Sequence, residues 1–211
     1  QVSASGMSFW TKTSVPVVCN ETNIEYNKHI LEIISKCVKK YKRKRVLVFA
    51  NGIKHAQELA LILSVKYRLK AKHVDSNMQP RIRRKTIREF YDGDIEVLCN
   101  HGILTTGFDV PLIDTLLICR EVGSNALQTQ MIGRGQRGTN SGGTDDLWLI
   151  TSFLRKKNID EAKLKLGWEV LAESWRKFPT EIKEDLGIRD NIPFDSKQTV
   201  KKSPKSEESD Y

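Results

Sequence analysis

The 211-residue chain is 39% hydrophobic and 29% charged, enough apolar content for one core of roughly 150 residues with appendages. Its net charge of +9 favours polyanionic partners such as nucleic acid, a merely lysine-rich surface being the competing account of the charge alone. Cys19, Cys37, Cys99 and Cys119 are widely spaced without a Cys-x-x-Cys pair, and His29, His55, His73 and His101 show no ligand spacing. A disulfide framework and a metal site are therefore excluded, and Cys99 and Cys119 are expected as reduced core residues. With no apolar run of membrane-spanning length and no signal-peptide pattern, the expected location is intracellular (cytoplasm, nucleoid or nucleus), without a membrane partner.

The opening Gln1–Gly6 is small and polar, and residues 1–13 are expected to be a linker or tag. Ile24, Leu31, Ile34, Val38 and Tyr41 recur at helical spacing over residues 23–41, with Asn23 as a candidate cap. The basic run Lys39–Arg45 follows, expected as a solvated turn, a nucleic-acid contact being the alternative. Val46–Ala50 is continuously apolar, as in a strand buried on both faces, and Asn51-Gly52 ends it. A helix carrying Ala56, Leu59, Ala60, Leu63 and Tyr67 on one face comes next, then a short strand over Ala71–Asp75. Pro80 suits the first turn of a helix continued by Ile82, Ile87 and Phe90 to Asp92-Gly93. Strands are expected at Ile95–Cys99, Asp114–Cys119 and Asp146–Thr151, and Ser124 can cap a helix running into the Gly133 segment.

This alternation predicts an α/β domain over residues 14–154: a mostly parallel sheet covered by helices on both faces, with right-handed crossovers. Ligands then bind beyond the carboxyl ends of the strands, which gathers the Asn51, Thr105 and Gly123 loops on one edge. Leu164, Trp168, Leu171, Trp175 and Phe178 form one apolar stripe in a helical extension at 155–190, expected to dock back on the domain, a surface for another domain or partner being the alternative. Residues 191–211 have almost nothing to bury and are expected to be disordered.

Two segments carry chemistry. In Gln130-Met131-Ile132-Gly133-Arg134-Gly135-Gln136-Arg137, the glycines let backbone approach closely and the always-charged guanidinium groups can grip phosphate oxygens in a bidentate way. An arginine on the γ-phosphate stabilises the charge that spreads during phosphoryl transfer. Taken alone, this pattern also fits two ordinary surface arginines on a helix. In Leu104-Thr105-Thr106-Gly107-Phe108-Asp109-Val110-Pro111, Gly107 permits a tight turn and the Asp109 carboxylate can accept ribose hydroxyls. Thr105 and Thr106 offer hydroxyl and N–H groups to a phosphate backbone. Nowhere does a Gly-x-x-x-x-Gly-Lys-[Ser/Thr] phosphate loop occur.

With these residues the chain resembles the second RecA-like domain of superfamily-two helicases, which include DEAD-box, restriction-translocase and repair-helicase families. Thr105–Pro111 is similar to the family's motif V, Gln130-x-x-Gly133-Arg134-x-x-Arg137 to motif VI, and Val46–Asn51 to motif IV. The resemblance covers roughly residues 45–152 and implies a RecA-like three-layer fold. It implies Arg137 as the arginine finger, Arg134 at or beside the γ-phosphate, and Gln130 coupling the nucleotide to the attacking water or the opposite domain. Gly107, Asp109 and Gly133 would lie at the nucleotide, with Asp109 on the ribose. Arg83, Thr105, Thr106 and Asn51 would lie toward the bound strand, and so would His101, where the family often has a small or hydroxyl residue beside position 100.

The family's first RecA-like domain holds the phosphate cradle, the Mg²⁺ and the water-activating carboxylate. ATP and Mg²⁺ are therefore expected to be held mainly outside this chain, which alone is expected to be inactive. The implied partners are that first domain and nucleic acid, DNA ahead of RNA. The competing function is a non-hydrolysing module, helicase-like in fold, that binds nucleic acid or protein.

Overall fold

The structure is a computed structural model that describes residues 8–12, 24–103, 112–120, 146–152 and 179–187. Among the described residues, six parallel strands form one sheet in the order β1-β6-β5-β2-β4-β3. The strands are β1 Ser8–Lys12, β2 Val46–Phe49, β3 Ala71–Asp75, β4 Val97–His101, β5 Thr115–Ile118 and β6 Trp148–Ser152. Between them run helices α1 Ile24–Lys39, α2 Ile53–Val65 and α3 Pro80–Asp92, and a short helix α4 follows at Thr180–Leu186.

The apolar strand runs alternate between the two faces of the sheet, as a period of two requires. Val46, Val48, Val97, Cys99, Leu117 and Ile150 join Ile30, Ile34 and Cys37 of α1 and Ala56, Leu59 and Leu63 of α2 in one core. Leu47, Phe49, Val74, Leu98, Leu116, Ile118 and Leu149 join Phe90 of α3 in the other. Helices α1 and α2 thus cover one face and α3 the other. Right-handed crossovers demand this placement, because β1→β2→β3 moves one way along the sheet and β3→β4 moves back.

Several boundaries differ from expectation. Ser8–Lys12, expected within a linker, is a strand that pairs in parallel with Trp148–Ser152. Its ladder bonds outweigh a local composition that predicts no strand. Strand β4 extends two residues beyond the expected Ile95–Cys99, because Asn100 and His101 still have ladder partners in Val74 and Asp75. Ile24 and Ile82, two of the apolar positions that mark their helices, are exposed, since each lies in the first turn of its helix beyond the reach of the sheet. Tyr67 lies past the end of α2 and packs, partly buried, on the same core.

The basic run also divides. Arg43 is buried against the cores, its Nε donating to Thr115 Oγ1 at 3.1 Å and its Nη2 to the carbonyls of Asp114 and Asp146. Its guanidinium carbon lies 4.6 Å from the Trp148 ring centre. Lys39, Lys40, Lys42 and Lys44 stay exposed. The run precedes β2, which puts it at the amino edge of the sheet, away from the expected site. Cys37, Cys99 and Cys119 are buried free thiols, as expected of Cys99 and Cys119; burial pushes Cys37 and Cys119 up to about 12 and Cys99 further, so all stay protonated.

The stripe Leu164–Phe178, the tail at 191–211 and the candidate caps Asn23 and Ser124 lie outside the described residues. Helix α4, beyond that stripe, packs on α1: Leu186 is buried against the α1 core, and Asp185 meets Lys40 Nζ at 2.9 Å and Tyr41 Oη at 2.9 Å.

Candidate functional site at the carboxyl edge

Because every strand pairing is parallel, all carboxyl ends lie on one edge. Ala50-Asn51 leaves β2 there, Asp75 ends β3, His101-Gly102 ends β4 and Cys119-Arg120 leaves β5. Backbone bonds lock these ends together: Ala50 N–H donates to Asn100 O at 2.9 Å, and Cys119 N–H to Phe49 O at 2.8 Å.

Asn51 and His101 are brought together around Ala50. His101 Nδ1 is 3.0 Å from Ala50 O. A carbonyl only accepts, so Nδ1 carries the proton, and the neutral ring offers only an acceptor at Nε2. His101 therefore donates to a phosphate from Nε2 only when protonated, which narrows the role that the sequence suggests for it. Asn51 N–H donates to His55 Nδ1 at 3.1 Å, which leaves the neutral His55 proton on a buried Nε2 without a partner among the described residues. Burial, and secondarily the charge of His101, hold His55 down at about 4. It stays neutral at physiological pH, as its acceptor role requires. The sequence reading missed His55, although its place one turn after Asn51 at the start of α2 was a usable signal.

Arg83 sits in the first turn and a half of α3, whose start lies at the same edge. It is half-buried and forms no ion pair with a described residue. The segment that aims it is built on Asp75, which is 2% exposed. Asp75 Oδ1 accepts the N–H groups of Asn77 at 2.8 Å and Met78 at 3.1 Å, and Gln57 Nε2 donates to Oδ2 at 3.3 Å. This Asx turn delivers the chain to Pro80 at the helix start. The signal was present in Asp75-Ser76-Asn77 ahead of Pro80.

Two more polar groups mark the edge. Asn100 is fully buried in β4, its Nδ2 donating to Val48 O at 3.0 Å and its Oδ1 unpartnered among the described residues. Arg120, half-buried, follows β5. Thr105, Thr106, Gly107 and Asp109, between β4 and β5 in sequence, lie outside the described residues. So do Gln130, Gly133, Arg134 and Arg137, between β5 and β6. Among the described residues no cluster of three or more His, Cys, Asp or Glu side chains is placed to hold a metal ion.

A parallel α/β sheet with polar loops gathered on its carboxyl edge admits many chemistries. Comparison with known proteins gives the family. Residues 26–139, more than half of the chain, match the model of the helicase conserved C-terminal domain. The chain belongs to that family. Its fold is the RecA-like α/β domain of superfamily-two helicases. The C-terminal domain of the DEAD-box protein Dbp5 superposes with a TM-score of 0.60 over 88% of this chain and 96% of that one, at 17% identity. The chain is 38% identical over 114 residues to the putative ATP-dependent helicase IRC3 of Saccharomyces cerevisiae, covering 52% of this chain and 16% of that protein. It is 29% identical over 137 residues to the probable ATP-dependent RNA helicase Dbp73D of Drosophila melanogaster, covering 63% of this chain and 20% of that protein. The chain thus spans about a fifth of the length of these curated relatives.

Proposed function

We propose that this helicase-family chain is the second motor domain of an ATP-dependent nucleic-acid helicase or translocase. The observation that carries the reading is the family match, residues 26–139, whose span includes both the Thr105–Pro111 and the Gln130–Arg137 segments. ATP and Mg²⁺ are held chiefly by a first RecA-like domain, since this chain has no glycine-rich phosphate loop and no metal cluster among its described residues. When bound between the domains, the nucleotide supplies the phosphoanhydride bond whose hydrolysis drives the cycle.

This chain's own residues then act on phosphate presented from across a cleft. Domain closure brings Arg137 and Arg134 onto the terminal phosphate, where fixed positive charge stabilises the developing negative charge. Asp109 accepts the ribose hydroxyls, Gly107 and Gly133 let backbone approach, and Gln130 couples the nucleotide to the attacking water or to the opposite domain. Arg83, Asn51, Thr105 and Thr106 hold the phosphates of a single strand along the carboxyl edge, and His101 joins them when protonated. Opening and closing change this grip and move the strand. Phosphate contacts carry little base information, so DNA and RNA both fit the edge; the basic charge favours neither, and DNA is the substrate we place first.

The test is nucleic-acid-stimulated ATP hydrolysis by the full-length parent carrying Arg137→Ala. The expected loss is 10³-fold or more, on the order reported for removal of an arginine finger, with strand affinity unchanged. Equal loss of hydrolysis and binding would contradict the finger role. An inactive wild-type parent that still binds nucleic acid would instead favour a non-hydrolysing binding module.

A further inference from the structure

Helix α3 carries a second basic surface that the strand site does not use. Arg81, Arg84, Lys85 and Arg88 are spaced so that, at 3.6 residues per turn, they fall on one face, and all four are exposed. Thr86 and Phe90 on the opposite face are buried, and Arg83, on that inner side, points away from the stripe. Arg88 lies 2.9 Å from Asp92 and over the Tyr91 ring at 5.1 Å. Arg81, Arg84 and Lys85 form no ion pair with any described residue. The first turn holds no acidic residue. Its cations therefore face the positive end of the helix dipole, an arrangement that disfavours the helix and that a bound polyanion relieves.

The direction of the stripe separates it from the strand site. Helix α3 begins at the carboxyl edge and runs antiparallel to the strands down the flank of the domain. From Arg81 to Arg88 the stripe descends about 10.5 Å along the axis. That is the length of about three phosphates on one strand of a duplex, at about 3.4 Å each. A strand lying across the carboxyl ends meets α3 only at its first turn, so Lys85 and Arg88 are reached only by a different segment that leaves along the flank. A stable protein interface would put apolar side chains at the centre of such a face and deplete charge there. Here the centre is cationic.

We propose that this outer face of α3 grips the phosphate backbone of a duplex arm leaving the strand-binding edge. The proposal rests on the nucleic-acid reading above and adds to it a contact for double-stranded substrate. It is tested by fluorescence polarisation of the 211-residue chain against a single-stranded oligonucleotide and against the same strand extended by a blunt duplex, over a range of salt. The variants are the triple Arg84→Gln, Lys85→Gln, Arg88→Gln, all beyond the first turn, and, separately, Arg83→Gln, with circular dichroism melts to confirm folding.

The triple variant is expected to lose about tenfold or more in affinity for the tailed duplex. Its slope of log K against log salt should flatten by about 2 to 3, as three lost phosphate contacts at about 0.9 each require. Affinity for the single strand should stay within about twofold, whereas Arg83→Gln should weaken both ligands alike. An unchanged tailed-duplex affinity would overturn the proposal and leave the face to an acidic protein partner. Equal loss on both ligands would also overturn it, by merging the stripe with the strand site. Wild-type chain that binds neither ligand would defeat the nucleic-acid reading itself.

Discussion

His55 and Asn51 show how one buried hydrogen bond ties the candidate site to stability. The Asn51 N–H needs an acceptor, and His55 Nδ1 at 3.1 Å supplies it only while the ring is neutral. Burial first, and the charge of His101 second, hold the folded-state value at about 4 against about 6.5 in the unfolded chain. Between those values the unfolded chain takes up a proton that the folded chain refuses. Stability is therefore full above about pH 6.5 and falls as pH drops toward 4, by up to about 3 kcal/mol. Urea denaturation of wild type and His55→Gln at pH 7 and pH 5 measures this. The wild type should lose more stability across that interval; an equal loss in both would show that other groups govern the acid limb. The position of His55 one turn after Asn51 hints at that bond, but its burial is set by Tyr26 and the strand ends above α2, which the local sequence does not show. The same holds for Arg43, one of seven consecutive positions of a basic run, which only the fold selects for burial under Trp148.

At the scale of elements, α4 is the segment whose order depends most on contact with others. Seven residues cannot sustain an isolated helix in water. Its attachment is Leu186, 3% exposed against α1, together with Asp185, whose carboxyl is held below the ordinary range first by Lys40 and then by Tyr41. The exposed ion pairs contribute little, so the apolar contact dominates. Leu186→Ala should remove about 2–3 kcal/mol of local stabilisation. Amide hydrogen exchange should then show residues 180–186 approaching unprotected rates while β2 and β4 keep theirs. Unchanged protection in α4 would mean that its ion pairs suffice. Among the described residues, strand and helix identities were legible from β2 to α3 and at β5 and β6, because buried runs such as Val46–Phe49 and the Pro80–Asp92 pattern carry strong local signals. Strand ends were not, since ladder partners distant in sequence set them: His101 is in β4 because Asp75 is beside it, and Ser8–Lys12 is a strand because β6 offers an edge.

For the whole molecule, the proposed function casts the chain as one side of a two-domain machine. Arginines that act across a cleft have nothing to act on until another domain presents the nucleotide. This chain alone is therefore expected to bind ATP only weakly, with Kd above about 1 mM (weaker than about −4 kcal/mol), and to show no hydrolysis above the uncatalysed rate. Calorimetric titration and a phosphate-release assay check both. Turnover by this chain that disappears in Arg137→Ala would overturn the two-domain reading.

Sequence by itself determined the fold class, the order of the central strands and helices, and the family, because periodicity and motif spacing are local properties written in consecutive residues. It also put the Asn51 loop on the carboxyl edge, and the family resemblance named Arg83 and His101 as strand-side candidates. Tertiary structure decided which of the many charged groups are buried, which tautomer His101 presents, and how Asp75 and Gln57 set the start of α3. It also separated the basic charge into a structural arginine at the amino edge and an outward stripe on α3. These depend on contacts between residues far apart in the chain, such as Arg43 with Asp146 or His101 with Ala50, and burial and hydrogen-bond direction exist only once those contacts form.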